Sequence, residues 1–387
     1  MKILILDTYY SKFLKSFRSN NPKLLKASYQ KYKEELLNMC FGTSDFYSYN
    51  LKRLGHEAED LIVNDDILQK KWAKEHGLKI NGNWLISKLQ MLPYIYRFVG
   101  KPRWVQEIVL AQIKEYEPDI IYVQDLSILN PDTVRNAKKY CRLLVGQIAS
   151  PPPPGKYLKN FDLIITSFPH FVEKFRKMGI NSEYQKLAFE PRILKNVQKQ
   201  KRIYDITFVG SFTPYHSEGT KMLEDVARQM PIHVWGPGIE FLSPISPLRK
   251  NYHGEAWGLR MYKILAQSKI AINRHISASA KYANNMRLYE ATGMGAMLIT
   301  DDKKNLNNLF DVGKEVVVYK NSEDLVNKIN YYFKNSKERE KIAEAGQERT
   351  LKYHNYRVRM VELAQILHRY LLHQKSVSHR VYKSFEV

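Results

Sequence analysis

Short apolar runs alternating with amphipathic helical patterns constrain this chain more than any other feature. The first half carries KILILD (Lys2–Asp7), DIIYVQD (Asp119–Asp125), RLLVGQIA (Arg142–Ala149) and DLIITS (Asp162–Ser167). Runs of this length without polar alternation suit strands covered on both faces, as in a parallel sheet. Between them PKLLKASYQKYKEELLNMC (Pro22–Cys40), PRWVQEIVLAQIKEY (Pro102–Tyr116) and PHFVEKFRKMG (Pro169–Gly179) open on a proline and repeat apolar residues at three- and four-residue spacing, the grammar of helices. Strand and helix in alternation predict an α/β layered domain. The pattern pauses at the polar, basic stretch Glu190–Arg202, which reads as an interdomain linker. It restarts with DITFVGS (Asp205–Ser211), IHVWG (Ile232–Gly236), KIAIN (Lys269–Asn273), AMLIT (Ala296–Thr300) and EVVVY (Glu315–Tyr319), with helical patterns in the gaps. From Ser336 to about His373 only helical patterns follow. The expected organisation is two doubly wound α/β domains, residues 1–192 and 193–353, and a helical tail over 354–387. There is no repeat between the halves, and the only low-complexity segment is Pro151–Pro154.

Composition narrows the classes. Cys40 and Cys141 are the only cysteines, so no disulfide framework is available and a reducing compartment is expected. The apolar core of MKILILD is too short for a signal peptide, and no stretch of about 18 apolar residues is present to span a membrane. The formal net charge of +22 attracts anions: nucleic acid, anionic lipid, or phosphorylated small molecules and polymers.

In an open parallel sheet, ligands lie beyond the carboxyl ends of the strands, where the following helices begin. The helix in NNMRLYEATGMGAMLITDD (Asn284–Asp302) therefore starts at a ligand edge, capped by Asn284 or Asn285, with its positive dipole end there. Arg287 and Glu290, three apart, share one face; the first suits a phosphate and the second sugar hydroxyls. A local ion pair on a helix face is the competing reading. Gly293-Met294-Gly295 closes a helix rather than opening one, so it reads as a C-cap and not as a nucleotide loop.

Three more segments fall on the same edge. Gly210 and Ser211 end a strand in FVGSFTPYHSEG (Phe208–Gly219), where small residues let backbone N–H groups approach a phosphate. Asn273, Arg274 and His275 follow the strand KIAIN, and His275 is a candidate for a phosphate or sugar contact and for catalysis. VWGPG (Val234–Gly238) is another loop after a strand, or a Pro-Gly turn. Each alone is an ordinary turn; their convergence on one edge of one domain is the functional signal.

These residues resemble a family. DITFVGS, the N-x-R-x-x-E helix at Asn285–Glu290, EVVVY, and the R-x-x-I-A-x-x-G segment at Arg339–Gly346 with His354 beyond are similar to the carboxyl half of group 1 glycosyltransferases, in the subset related to the spore-maturation protein CgeB. The likeness covers about Asp205–Met360; before the linker, Cys40–Asp65 carries most of it. The resemblance implies a GT-B architecture, two Rossmann-like domains facing across a cleft, the second holding a nucleotide-sugar donor and the first an acceptor. It implies that the chain end, around Tyr356–His373, crosses back onto the first domain, that Glu290 contacts the donor ribose and that Arg287 lies near the diphosphate. One departure stands out: the wider superfamily often has Glu-x7-Glu, and eight residues before Glu290 lies Tyr282.

The expected reaction is sugar transfer from a UDP-, GDP- or dTDP-linked donor to a glycan, lipid-linked glycan, protein or polymer. The departing diphosphate must be stabilised. The adjacent pairs Asp65-Asp66 and Asp301-Asp302 lack the Asp-x-Asp spacing of a metal loop. Helix dipole, backbone N–H groups, Arg287, Arg274 and Lys281 are expected to do this without a metal or any other cofactor. On the acceptor side Asp45, in FGTSDFY (Phe41–Tyr47), is a candidate base for the acceptor's proton, or a helix cap alongside Ser44. Pro151–Pro154 stiffens a loop after a strand. Tyr9–Lys26 and Trp84–Trp104 mix cations with aromatics, which suits an anionic membrane surface or an exposed basic face over core. Cytoplasmic placement, with peripheral attachment at the inner face of the membrane and a part in cell-surface glycan biosynthesis, is the matching expectation. The competing functions are a nucleotide-sugar epimerase or hydrolase of the same fold and a nucleic-acid-binding protein. No zinc spacing or RNP-like segment supports the last.

Overall fold

A computed structural model of the chain describes residues 1–80 and 103–383, with side chains as far as residue 372 apart from Tyr215. The chain divides into two compact units, Met1–Gln185 with Met360–Val387, and Lys186–Arg359.

In the first unit β1 (Lys2–Asp7), β2 (Glu57–Ile62), β3 (Ile120–Val123), β4 (Leu143–Ile148), β5 (Leu163–Thr166) and β6 (Ser182–Tyr184) form a six-stranded sheet, in the order β2-β1-β3-β4-β5-β6. Every pairing is parallel. The four strands expected from their apolar runs are present. β2 and β6 were not legible as strands. β2 (EAEDLI) is an edge strand paired only to β1 and keeps its early residues at the surface, so its composition is mixed. β6 has three residues. The helices are α1 (Ser11–Asn20), α2 (Tyr29–Asn38), α3 (Phe46–Lys52), α4 (Asp66–Glu75), α5 (Arg103–Tyr116), α6 (Pro131–Ala137), α7 (Gly155–Leu158) and α8 (Pro169–Lys177).

The single helix expected over Pro22–Cys40 is two elements. Pro22–Lys26 is a short 3-10 turn, and α2 starts afresh at Tyr29 because the Ser28 side chain caps it by accepting from the Lys31 N–H. α8 closes as expected at Gly179, whose φ of +71° an L side chain rarely adopts. The stretch Tyr9–Lys26 is not a surface band of aromatics. Tyr9, Phe13 and Phe17 are core residues, and Arg18 is tied to Asp65 and Asp66 at 2.6 and 2.7 Å. Arg18 is thereby committed within the fold, while Lys15, Lys23 and Lys26 are exposed. Trp84–Trp104 lies outside the described residues except for Arg103 and Trp104, of which Trp104 is buried.

The second unit holds β7 (Tyr204–Val209), β8 (His233–Trp235), β9 (Ser268–Ile272), β10 (Met297–Asp301) and β11 (Val317–Tyr319), a parallel sheet in the order β11-β10-β9-β7-β8. Its helices are α9 (Ile193–Val197), α10 (Ser217–Ala227), α11 (Gly258–Ala266), α12 (Met286–Gly293), α13 (Ser322–Lys334) and α14 (Ser336–Tyr353). Ile206, Ile270, Ile272 and Ile299 from the sheet meet Leu223, Val226, Leu325 and Ile329 from α10 and α13 in one core. The Glu190–Arg202 stretch is not an extended linker. It contains α9, and Arg202 donates to the carbonyls of Leu265, Ala266, Ser268 and Gly295. A basic composition concealed a half-buried structural arginine.

The last helix, α15 (Tyr356–Lys383), begins in the second unit and from Met360 belongs to the first. There Arg369 and Tyr370 bond to the Glu183 carboxylate at 2.8 and 3.3 Å, tying the helix to β6.

Candidate functional site

The order of strands marks where each unit places a ligand. In the second unit β7 leads to β8 on one side and β9 lies on the other, so the crevice beyond the carboxyl ends of β7 and β9 is the topological switch point. The two segments leaving it are Gly210-Ser211 and Asn273-Arg274. Gly210 donates its N–H to the Trp235 carbonyl and Phe212 to the Pro237 carbonyl. A Cβ on Gly236, where φ is +139°, would strike the Gly210 carbonyl. The VWGPG loop therefore supports the Gly210 loop from beneath rather than offering its own amides. The Gly210 N–H, expected to face a phosphate, is already used.

Above this floor lies a cavity of about 210 Å³, lined by Ser211, His216, Ser217, Gly219, Arg274 and Ser277 among others. α10 starts here, directly after a 3-10 turn whose Pro214 carbonyl takes the Ser217 N–H, so the positive dipole end of the helix lies at the space. A Cβ on Gly219 would come within 2.9 Å of the Arg274 side chain; glycine lets the guanidinium lie directly on the first turn of the helix. Arg274 is paired at 2.9 Å with Glu218, whose side chain is 80% exposed. Burial, followed by the charge of Arg274, depresses the pKa of His216 below its ordinary value. Arg274 and the start of α10 make the space electropositive, and the counter-ion of Arg274 among the described residues, Glu218, is exposed.

His275 and the two asparagines build the frame of this cavity. The His275 side chain is fully enclosed. Its Nδ1 lies 2.7 Å from Asp301, and its Nε2 accepts from the Asn284 N–H at 3.3 Å, which fixes the proton on Nδ1. Burial alone would raise the Asp301 pKa, but the His275 hydrogen bonds and the charge of Lys303 outweigh it and hold the carboxyl below its usual range. With both ring nitrogens committed, His275 fixes the loop to the end of β10; it offers no free base in this arrangement. Asn273 and Asn285 bond to each other reciprocally, at 2.9 and 3.3 Å, and Asn273 also reaches Thr300. Asn285 caps α12 by accepting from the Leu288 N–H. Asn273 and Asn285 position the edge without lining the cavity, whereas His275 is among its lining residues although its ring nitrogens are engaged.

Arg287 and Glu290 form an ion pair of 2.7 Å, with side chains 16% and 6% exposed. Arg287 also donates to the Val209 carbonyl at 3.0 Å, and the Tyr262 hydroxyl donates to Glu290 at 3.4 Å. The pair is a buried clamp between the end of β7 and α12, one residue before Gly210. A surface pair is worth little, but breaking a buried pair leaves an uncompensated charge and costs about 3–5 kcal/mol. Neither residue lines the cavity.

The first unit has its own switch point, between β1 and β3. There β1 ends on Asp7 and β3 is followed by Gln124 and Asp125. Thr8 joins the two carboxylates: its N–H donates to Asp7 at 2.7 Å and its hydroxyl to Asp125 at 2.6 Å. The Thr43 hydroxyl lies 2.7 Å from the Gln124 oxygen and 3.2 Å from Asp7. Its one proton goes to the nearer partner, so the Asp7 contact is satisfied best when Asp7 carries a proton. Desolvation, reinforced by the charge of Asp125, raises the Asp7 pKa to about 7, against hydrogen bonds from Thr8 and Thr43 that lower it. Gln124 Nε2 is buried and finds no partner among the described residues. The loop supplying Thr43 is tightly bent, with φ of +53°, +61° and +45° at Cys40, Gly42 and Ser44.

Asp45, half-buried just beyond, precedes α3, but its side chain makes no cap bond and its backbone carbonyl accepts from Tyr49. Nor does Ser44 cap: its hydroxyl donates to the Leu37 carbonyl. The residues missed in the sequence are Asp7, Gln124 and Asp125. The signal was present, since KILILD and DIIYVQD both end an apolar strand on an aspartate.

Comparison with known proteins fits this geometry. Residues 218–365, from the first turn of α10 into α15, match the family model described as glycosyl transferase-like. No curated protein sequence matches the chain. Among solved structures, HepE of Anabaena, crystallised with UDP and glucose, covers 95% of this chain and 100% of its own at a TM-score of 0.59 and 14% identity. Sucrose-phosphate synthase of Thermosynechococcus elongatus covers 95% and 98% at 0.58 and 11%. A glycosyltransferase of Rickettsia africae covers 96% and 98% at 0.57 and 13%. Two parallel-sheet, Rossmann-like units with a helical carboxyl-terminal tail are the fold of the GT-B class. The chain has that fold, and most of its second unit lies in the glycosyl transferase-like segment.

Proposed function

We propose that the second unit binds a nucleoside-diphosphate sugar at the β7/β9 switch point and that the sugar passes to an acceptor hydroxyl held by the first unit. The observation that carries this reading is the cavity itself: the start of α10 and the glycine under Arg274 converge on one electropositive space. The α10 N–H groups and Arg274 stabilise the leaving diphosphate as its charge develops. Glu218, paired with Arg274 and exposed, gives way to the phosphate. The clamp of Arg287 and Glu290, with Asn273 and Asn285, holds the ends of β7 and β9 in place. Glu290 is enclosed as described, so ribose recognition by its carboxylate requires α12 and β7 to part from their present contacts.

UDP is the first nucleotide to test, because HepE was crystallised with it. Membership of the CgeB-related subset, independence from metal, cytoplasmic placement and a glycan or lipid-linked acceptor belong to the same proposal. In the described residues no three His, Cys, Asp or Glu side chains are grouped to hold a metal ion, and no helix is long and apolar enough to cross a membrane. On the acceptor side the proton of the attacking hydroxyl passes to the Asp7–Asp125 pair, whose first member is poised near neutral pH; Asp45 is the flanking alternative.

Calorimetric titration with UDP, GDP and dTDP tests the donor site. One nucleotide should bind, and Arg274→Ala should weaken it by about 10- to 100-fold, the worth of one or two charged hydrogen bonds. Wild-type affinity in that variant sinks the assignment of this cavity.

A further inference from the structure

At the carboxyl edge of the first sheet, Asp7 belongs to a polar row. The register sets Leu6 beside Val123 and Val123 beside Gly146. The next residues, Asp7, Gln124 and Gln147, therefore stand level across β1, β3 and β4 with their side chains on one face. Thr43 and α3 cover that face, and Tyr47 of α3 reaches Gln147. Gln147 Oε1 lies 2.7 Å from the Tyr122 hydroxyl and 3.2 Å from that of Tyr47. Burial holds the Tyr47 pKa far above its ordinary value, so this hydroxyl keeps its proton. Two hydroxyl donors converging on one atom mark it as the carbonyl oxygen, since an amide nitrogen accepts nothing. The amide nitrogen is thereby turned away from both phenols. Gln147 is half-buried, and its Nε2 has no hydrogen-bond partner among the described residues. Unlike Gln124 Nε2, it is not sealed from solvent. Gln147 thus offers an oriented N–H donor, held by two buried phenols and open on its far side.

The setting of this donor selects what it can hold. Asp7 and Gln147 are two strands apart, about 9.6 Å between Cα atoms at about 4.8 Å per strand. At the Asp7 end the charge acting on the carboxyl is that of Asp125, and no cation offsets it. A phosphate would meet these carboxylates at one end and only a neutral amide at the other. A polyol suits both ends: one hydroxyl donates to Asp7 or Asp125, and the oxygen of another accepts from Gln147. The chain leaving Thr8 adds an aromatic surface, Tyr10, which is 62% exposed with its ring edge-on to Phe41 at 5.5 Å. Hydroxyls spread around a small ring whose C–H face can lie on an aromatic describe a sugar.

We propose that Gln147 selects a neutral saccharide as the acceptor, its Nε2 donating to a hydroxyl oxygen of the same sugar ring that carries the attacking hydroxyl. A sugar phosphorylated on that ring is refused. The proposal rests on the transfer reading, which places the attack at Asp7 and Asp125. There the hydroxyl gives its proton to the carboxylate pair, its oxygen forms the bond to the anomeric carbon of the donor sugar, and the nucleoside diphosphate leaves with the bonding electrons.

The test uses the full chain. Calorimetry with UDP reads the donor site, and saturation-transfer NMR on the same sample follows glucose, galactose, mannose and N-acetylglucosamine, then glucose 6-phosphate and mannose 6-phosphate. At least one neutral sugar should bind. One of its monodeoxy analogues should bind about tenfold more weakly, the worth of one hydrogen bond. The matching deoxyfluoro analogue, which still accepts, should lose less. Gln147→Glu keeps an oxygen for both phenols and turns the donor into an acceptor, so in that protein the deoxyfluoro analogue should fall about tenfold behind the parent sugar while UDP affinity stays unchanged. Tyr10→Ser should weaken every neutral sugar that binds, and it keeps the site testable if Gln147→Glu does not fold. Three results overturn the proposal: UDP bound but no neutral sugar, a sugar whose affinity and analogue preferences survive both substitutions, or a sugar phosphate bound more tightly than its parent in a way that Gln147→Glu abolishes. A protein that binds neutral sugars but no nucleotide refutes the donor site instead.

Discussion

Asp7→Asn should make the protein more stable at pH 8, and by clearly less at pH 5. The ordinary aspartate value is 3.8 and the folded value about 7. A carboxyl whose folded pKa is raised binds its proton more tightly in the native state. Its contribution is therefore favourable at low pH and is lost as pH rises from about 4 through about 7. Three units at 1.36 kcal/mol each set a ceiling of about 4 kcal/mol, of which about 3 develops between pH 5 and 8. Asp7 keeps part of its surface in water, which screens the effect, so a measured difference of about 2 kcal/mol is expected. Asparagine keeps the acceptor for the Thr8 N–H and cannot ionise beside Asp125. Asp60, 4% exposed and raised to about 7 chiefly by burial, titrates in the same window in both proteins and cancels from the difference. Urea unfolding of wild type and Asp7→Asn at pH 5, 6, 7 and 8 reads the effect directly. A difference between the two proteins that stays flat across this range refutes the raised pKa, and with it Asp7 as a group poised to take a proton near neutrality.

Glu218→Gln should tighten UDP binding by about two- to fivefold, because an exposed ion pair worth up to about 1 kcal/mol no longer competes for Arg274; unchanged or weaker binding by calorimetry contradicts the exchange. Glu290→Ala should cost about 3 kcal/mol or more in urea unfolding, since it leaves Arg287 buried and unpaired, whereas the Arg287→Met, Glu290→Leu double variant should cost less than that single change. If the single change is silent, the clamp is not structural, so Glu290→Gln is the substitution to use when asking about ribose. Transfer activity should survive EDTA; complete loss restored by Mg²⁺ or Mn²⁺ removes the metal-free account of the leaving group. Binding to anionic liposomes should fall when the exposed Lys15, Lys23 and Lys26 are changed to Glu, with Arg18 left in place because its pairs with Asp65 and Asp66 are structural; vesicle sedimentation that does not respond shows the basic face to be solvated surface.

What was legible in the sequence follows from how strongly each element depends on its own residues. Central parallel strands are covered on both faces, so KILILD and DITFVGS announced themselves. β2 needs only one covered flank and alternates acidic with apolar residues, and no local rule separates it from a loop. The carboxyl edge of the second sheet was legible for the same reason as its strands: once these are parallel, Gly210-Ser211 and Asn273-Arg274 must leave them on one side. Strand order was not legible, and it is strand order that singles out β7 with β9, and β1 with β3, among all the strand ends.

Residue type also misled in a consistent direction. Arg287, Glu290 and His275 drew attention because charged and titratable groups at a strand edge suggest contact with a ligand. Yet such groups, when enclosed, must satisfy one another, and here they do so through 2.7 Å contacts within the frame. Among the described residues the Arg274 side chain is held only by the exposed Glu218, and for that reason the proposed donor site rests on it. Glycine told the same story from the other side: Gly219 is informative not as a flexible point but as the missing side chain that lets Arg274 reach the start of α10. A cation with a weak partner and room made for it marks a binding site better than a cation with a strong partner. That criterion needs coordinates, because a sequence spacing of three residues looks the same whether the pair is exposed or enclosed.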